Sequence, residues 1–222
     1  MRRLAIFARA PVPGQVKSRL SPALPPTLAA HLYGALLADA FAAGAAADAD
    51  ERWVYWAESA GETPARFLSA SQRGAGLGDR LHEAFATLAR AAGDRVLVIG
   101  SDTPPLTAAH LDQAFTELES HDVVIGPTVD GGYWGIGLRA PAPALFSDIP
   151  WSTREVLTRT LVRAHAAGLR VATVATLEDL DTPHDLALLV GALAAPHGPA
   201  RACGSQARAA LTQLGLAPAW AR

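Results

Sequence analysis

The loop Arg9-Ala-Pro-Val-Pro-Gly-Gln-Val-Lys-Ser-Arg-Leu20 gathers the first residues of this chain whose types and spacing suit chemistry. Pro11, Pro13 and Gly14 shape it, so that backbone amides can face anionic oxygens, and Arg9, Lys17 and Arg19 supply cations for a phosphate. It is not a Walker A loop, because Gly14 and Lys17 are not adjacent and the upstream glycine is missing. Lys17 is the one lysine among 19 basic residues. A compact ammonium differs from a planar guanidinium at a phosphate or a reacting oxygen, which singles Lys17 out for a role.

A second group is Ser101-Asp102-Thr103-Pro104, after an apolar run. A carboxylate at a strand end can hold a divalent cation, and Mg²⁺ commonly uses one or two carboxylates plus substrate phosphates. Helix capping is the other role open to Asp102. The third group is Asp130-Gly131-Gly132-Tyr133-Trp134. Asp130 suits a second metal ligand, a base or an acceptor for a sugar-like hydroxyl, and equally a β-turn. Gly132 permits close approach of a ligand, and Tyr133, Trp134 and Trp151 can line an acceptor or fill the core.

The fourth is Gln72 to Arg80, whose glycines Gly74, Gly76 and Gly78 do not fit a dinucleotide fingerprint but suit a loop against a base, with Arg80 near phosphate. The fifth, Glu178 to Asp185, contains Asp179 and Asp181, either of which can join Asp102 at a metal. The seven histidines lack the spacing of a zinc site on a helix. Ser152 and Glu155 have the spacing of a capping box.

The elements that must position these groups alternate. Strands are expected at 4–8, 52–57, 96–100, 122–126, 133–138 and 170–174. Helices are expected at 25–43, 64–70, 79–91, 107–118, 152–167 and 184–193, with Pro183 in the first helical position of the last. A loop from 195 to 204 and a short terminal helix follow. Such alternation predicts a parallel-rich sheet covered on both faces, with ligands at the carboxyl ends of strands. The loops after Ala8, Gly100 and Gly126 are then the functional ones.

The whole chain, 222 residues with no repeat and no strong linker, reads as one domain over 1–222. A net charge of −2 argues against nucleic-acid binding, and a single cysteine excludes an intramolecular disulfide and cysteine-rich zinc sites. The short apolar run at the N-terminus is not a signal peptide, and no stretch is expected to reach transmembrane length. A cytoplasmic protein without membrane contact is expected.

Arg9 to Leu20, Gln72 to Leu81, Gly100 to Pro104, Asp130 to Tyr133, Pro150 to Ser152 and Asp181 to Leu186 together resemble the DUF2064 family. Those proteins are described as glycosyltransferases associated with radical-SAM enzymes and arsenosugar biosynthesis. Phospholactate and molybdenum-cofactor guanylyltransferases are their more distant relatives. The resemblance runs from Leu4 to about Leu193. It implies an α/β, three-layer, glycosyltransferase-A or nucleotide-diphospho-sugar transferase-like mixed sheet with helices on both faces. By position it implies phosphate contacts from Lys17 and Arg19, a metal (Mg²⁺ or Mn²⁺) on Asp102, and a nucleotide held in part by the loop from Gln72 to Arg80. Arg9 stands where the family usually has lysine, and Gly76 where an acidic residue is common.

The expected activity is glycosyl transfer from a nucleotide sugar to a small acceptor. Lys17, Asp102 and Asp130 are its catalytic candidates, and Asp102 and Asp181 its metal ligands. The nucleotide would lie on Arg9, Pro13, Gly14, Lys17, Arg19, Gln72, Gly78 and Arg80, and the acceptor on Gly132, Tyr133 and Trp134. A nucleotidyltransferase joining an NTP to a small phosphorylated or carboxylate substrate is the alternative. A non-catalytic nucleotide-binding protein is a third reading.

Overall fold

The computed structural model describes residues 1–21, 23–194 and 203–216. Most of the expected loop 195–204 therefore lies outside the described residues. In chain order the elements are β1 (Arg2–Arg9), α1 (Pro26–Ala46), β2 (Glu51–Ala57), β3 (Leu68–Ser71), α2 (Leu77–Leu88), β4 (Arg95–Ile99), α3 (Ala108–Glu117), β5 (Val123–Pro127), β6 (Tyr133–Leu138), α4 (Val156–Ala166), β7 (Val171–Thr173), α5 (Pro183–Ala194) and α6 (Ser205–Gln213). The seven strands form one sheet in the order β3-β2-β1-β4-β6-β5-β7. Only β6 runs antiparallel to its neighbours, pairing Ile136 with both Val98 and Ile125. The sheet is thus mixed, as the resemblance implies.

Strands that alternate which face each residue presents, while apolar on both, require cover on both sides. On one face Leu4, Ile6, Val54, Leu97, Ile99 and Val124 pack against Tyr33 and Leu37 of α1 and Leu111 and Phe115 of α3. On the other, Ala5, Tyr55, Val98, Ile125 and Ile136 meet Leu81, Phe85 and Leu88 of α2 and Ala164 of α4. A smaller apolar cluster joins α1 to α5 and α6 through Leu32, Leu36, Leu186, Leu189 and Leu211.

Helix α1 spans 21 residues and is long and apolar enough to cross a membrane, contrary to the expectation that no stretch reaches that length. Half of its most apolar window is buried, and its apolar character serves the two clusters it joins. Two local expectations also change. The stretch expected as a helix at 64–70 instead ends in edge strand β3, where Leu68 to Ser71 pair in parallel with Trp53 to Trp56. Cross-strand pairing outweighs the weak helical propensity of so short a segment. The capping box at Ser152 and Glu155 does not form. Ser152 is left-handed (φ 65°), Thr153 Oγ1 donates to Pro150 O, and α4 begins only at Val156. By contrast Pro183 opens α5 as expected, with Asp185 Oδ2 accepting from the N–H groups of Asp181 and Thr182 at 3.0 and 2.7 Å.

Candidate active site

A cleft of about 740 Å³ lies across the carboxyl ends of β1 and β4 and the first turn of α2. This is where a parallel-rich sheet presents its loops to a ligand. Four cations line it, Arg9, Lys17, Arg19 and Arg80, against two carboxylates, Asp102 and Asp181. A chain with net charge −2 thus concentrates positive charge in one concavity.

The strands that carry these groups end abruptly. Gly100 N donates to Trp134 O at 2.9 Å, after which Pro104 and Pro105 prevent continuation of β4, and Asp102 emerges toward the cleft. Leu180 N donates to Asp102 O at 3.0 Å, which brings the loop before α5 alongside and sets Asp181 next to Asp102. Lys17 approaches from the loop after β1, in left-handed conformation (φ 50°), with its carbonyl accepting from Leu20 N at 2.9 Å. The Lys17 ammonium lies 2.9 Å from Asp102 Oδ2 and 2.6 Å from Asp181 Oδ1. Burial alone would lower the Lys17 pKa, but the charges of Asp102 and Asp181 outweigh it and hold the group above the ordinary lysine range. Arg19 stands 4.0 Å from Asp181 Oδ2 and is exposed.

Around this triad the site is pinned by hydroxyls. Tyr33 OH accepts from Arg9 N at 3.0 Å and shares a hydrogen bond of 2.9 Å with Ser101 Oγ. Thr103 Oγ1 donates to Asp179 Oδ1 at 2.5 Å. Burial, and then the charge of Asp102, push the Asp179 carboxyl up to about 8. Asp181, not Asp179, is the carboxylate that shares a cation with Asp102.

The expected site residues divide. Arg9, Lys17, Arg19, Gln72, Arg80, Asp102 and Asp181 all line the cleft. Gln72 Nε2 donates to Tyr55 O at 2.9 Å, while Arg80 reaches Gln72 Oε1 at 3.5 Å. Pro13 instead lines a separate groove between α1 and α6. Gly14 (φ 80°) shapes its turn with open space where a side chain would be. Gly78 is buried in α2, where a Cβ would stand 2.7 Å from Phe146 O and 3.0 Å from Trp151 Nε1, so it serves helix packing.

Asp130 closes its own turn, with Oδ1 accepting from Thr128 Oγ1 at 2.6 Å and Gly132 N at 3.0 Å. It lies outside the cleft lining but near enough to Asp179 to raise that carboxyl further. Of the three residues expected at an acceptor, Trp134 is fully buried, and Gly132 and Tyr133 are partly exposed. Trp134 is 1 % exposed, occupies the space over Gly126 and donates Nε1–H to Ala175 O at 2.9 Å. The hydroxyl of Tyr133 is enclosed beside Thr160, and burial pushes its pKa up. Gly132 belongs to the Asp130 turn. Alternation along β6 turns Tyr133 and Trp134 toward opposite faces of the sheet.

Tyr33, Ser101, Gln15 and Ser152 also line the cleft, and none of them was given a site role of its own from the sequence. Tyr33 sits on an apolar helix face and signals only packing. Ser101 adjoins Asp102 and was legible as part of its motif.

Among the described residues no three His, Cys, Asp or Glu side chains form a metal cage. Asp102 and Asp181 nonetheless converge on one cation, the Lys17 ammonium. Two carboxylates facing a cleft of excess positive charge fit a Mg²⁺ or Mn²⁺ that completes its coordination with phosphate and water.

Solved structures share this fold. A protein from Desulfovibrio desulfuricans G20, described as a putative nucleotide-diphospho-sugar transferase, is 27% identical with a TM-score of 0.85, over 97% of this chain and 96% of that one. A homologue of Mycobacterium tuberculosis Rv0371c from Mycobacterium sp. strain JC1 is 16% identical, with a TM-score of 0.51 over 85% and 94%. The bifunctional IspDF protein of Campylobacter jejuni is 10% identical, with a TM-score of 0.52 over 83% of this chain and 53% of that one. No curated protein sequence matches the chain. The DUF2064 sequence profile, described as an uncharacterized protein conserved in bacteria, matches residues 28–153. That is more than half of the chain, and the protein belongs to the DUF2064 family.

Proposed function

We propose that this protein is a metal-assisted transferase that moves a glycosyl group from a nucleotide sugar to a small acceptor. The observation that carries the reading is the cleft at the ends of β1 and β4, where four cations outnumber two carboxylates that converge on one point. A diphosphate needs positive charge around its oxygens, and the carboxylate pair gives its counter-cation a place. The near full-length likeness to a protein described as a putative nucleotide-diphospho-sugar transferase supports the same class.

In this reading Arg9, Arg19 and Arg80 hold the diphosphate, and Gln72, fixed by backbone carbonyls, borders the base. Asp102 and Asp181 would hold the divalent cation, which supplies charge neutralisation of the departing diphosphate. Lys17 shares that work on the leaving group. The acceptor would enter from the side of Ser152, which lines the cleft, rather than over Tyr133 and Trp134. The single buried cysteine suits a reducing, cytoplasmic setting.

Asp102→Ala tests the assignment. Metal-dependent turnover of a nucleotide sugar is expected to fall by at least about 10²-fold with the fold intact, the scale of losing one electrostatic stabiliser. Unchanged turnover would remove Asp102 from the mechanism. Turnover of an NTP with release of pyrophosphate, in place of sugar transfer, would replace the glycosyl reading with nucleotidyl transfer.

A further inference from the structure

Lys17 has an arrangement unusual for a residue whose only duty is to meet a phosphate arriving from solution. Its side chain is 5 % exposed, whereas Asp102 and Asp181 are 34 % and 40 % exposed. The ammonium is turned away from open solvent and seated between the two carboxylates. A metal ion on the same two oxygens and the ammonium repel one another, since like charges a few ångströms apart are costly where water is partly excluded.

The framework around the three groups is fixed. The Lys17 carbonyl accepts from Leu20 N, Leu180 N donates to Asp102 O, and Asp185 holds the N–H of Asp181. Exchange of cations then moves the lysine side chain while these backbone bonds keep the carboxylate pair in place. Arg19 stands 4.0 Å from Asp181 and is 65 % exposed.

We propose that Lys17 is an internal counter-ion that competes with the divalent cation for Asp102 and Asp181, and yields the pair when its ammonium transfers to an incoming phosphate oxygen. The cation then binds weakly alone and tightly with the diphosphate. The identity of the incoming anion rests on the transferase reading. The competition itself does not, because it involves only the chain and the metal.

The test is Mn²⁺ binding to the full chain without nucleotide, read from the electron paramagnetic resonance of free Mn²⁺. If lysine occupies the pair in nine of ten molecules, apparent affinity is reduced about tenfold, so Lys17→Met should bind Mn²⁺ about tenfold more tightly than wild type. Lys17→Arg, which keeps a positive charge, should stay as weak as wild type. A folded Lys17→Met that binds Mn²⁺ no more tightly than wild type would overturn the proposal, as would Lys17→Arg tightening equally.

If Lys17→Met does not fold, the wild type answers through its one lysine, which gives a single ¹³Cε–¹H cross-peak after lysine labelling. Mg²⁺ should move that peak with the same midpoint at which Mg²⁺ raises the melting temperature. Stabilisation by Mg²⁺ with the peak unmoved would refute the competition. Tighter Mn²⁺ binding by Lys17→Met without any nucleotide binding by wild type would uphold the competition while removing the transferase reading. Nucleotide binding with no gain in Mn²⁺ affinity would do the reverse.

Discussion

Exposure in the Lys17–Asp102–Asp181 triad is lopsided, and stability should be lopsided with it. The lysine is 5 % exposed and its partners are 34 % and 40 % exposed. Lys17→Met removes the buried charge, keeps a side chain of similar length, and leaves two carboxylates that water can reach. Their loss is then close to that of a surface pair, about 1 kcal/mol or less each. The double substitution Asp102→Asn with Asp181→Asn does the opposite. It leaves an ammonium nearly enclosed without a counter-charge, and stranding a buried charge costs about 3–5 kcal/mol. In a domain of this size about 1 kcal/mol corresponds to about 2–4 °C in melting temperature. Lys17→Met should therefore lower it by a few degrees and the double variant by roughly 10 °C or more. Urea unfolding at pH 7, with melting curves beside it, measures both. Equal losses, or a larger loss for Lys17→Met, would refute the argument that burial of the lysine dominates this triad.

Two other substitutions probe the frame beneath the site. Asp94 is buried and pairs with Arg3, the N-terminal amine and the N–H groups of Ala91 and Arg90. Burial alone would raise its pKa, but these partners together hold it well below the carboxylate range. Its stabilisation is therefore present above the unfolded value of about 3.9 and is lost as pH falls. Asp94→Asn should cost about 1.5–3 kcal/mol in urea unfolding at pH 7, the scale of hydrogen bonds to a charged group, because Arg3 keeps Glu51 at 3.0 Å while the carboxylate is lost. The gap from wild type should shrink below about pH 4, and a gap constant with pH would contradict the assignment. Gly126→Ala places a methyl group against the Trp134 indole, and overpacking of this kind costs about 1–3 kcal/mol. The expected readout is a lower urea midpoint with an altered Trp134 fluorescence, and a wild-type midpoint would show that the indole can shift freely.

Which residues line this cleft was more legible in the sequence than what surrounds them. Asp102 follows an apolar strand and precedes two prolines, so its place at a sheet end follows from local rules. Asp181 was legible through Pro183, which fixes the start of α5 and hence the loop before it. That Lys17 faces carboxylates could not be read, because the approach of the loops at 17, 102 and 181 is set by long-range packing. The same applies to Tyr133 and Trp134. Their types suit an acceptor platform as well as a core, and only the insertion of β6 between β4 and β5 decides for the core. Strand β3 escaped for a related reason, since its pairing with β2 outweighs what four residues prefer in isolation.

The central claim, that the cleft between β1 and β4 takes a nucleotide diphosphate with a divalent cation, is most directly tested by thermal stabilisation. The chain is melted with UDP-, GDP- and dTDP-sugars and with NTPs, each with and without Mg²⁺ or Mn²⁺. A ligand at 100 times its Kd stabilises the folded state by about 2.7 kcal/mol, a rise of several degrees. The account predicts such a rise with one nucleotide sugar, larger with the metal, and absent in Asp102→Ala. No rise with any nucleotide at millimolar concentration, or a rise that Asp102→Ala retains in full, would contradict it.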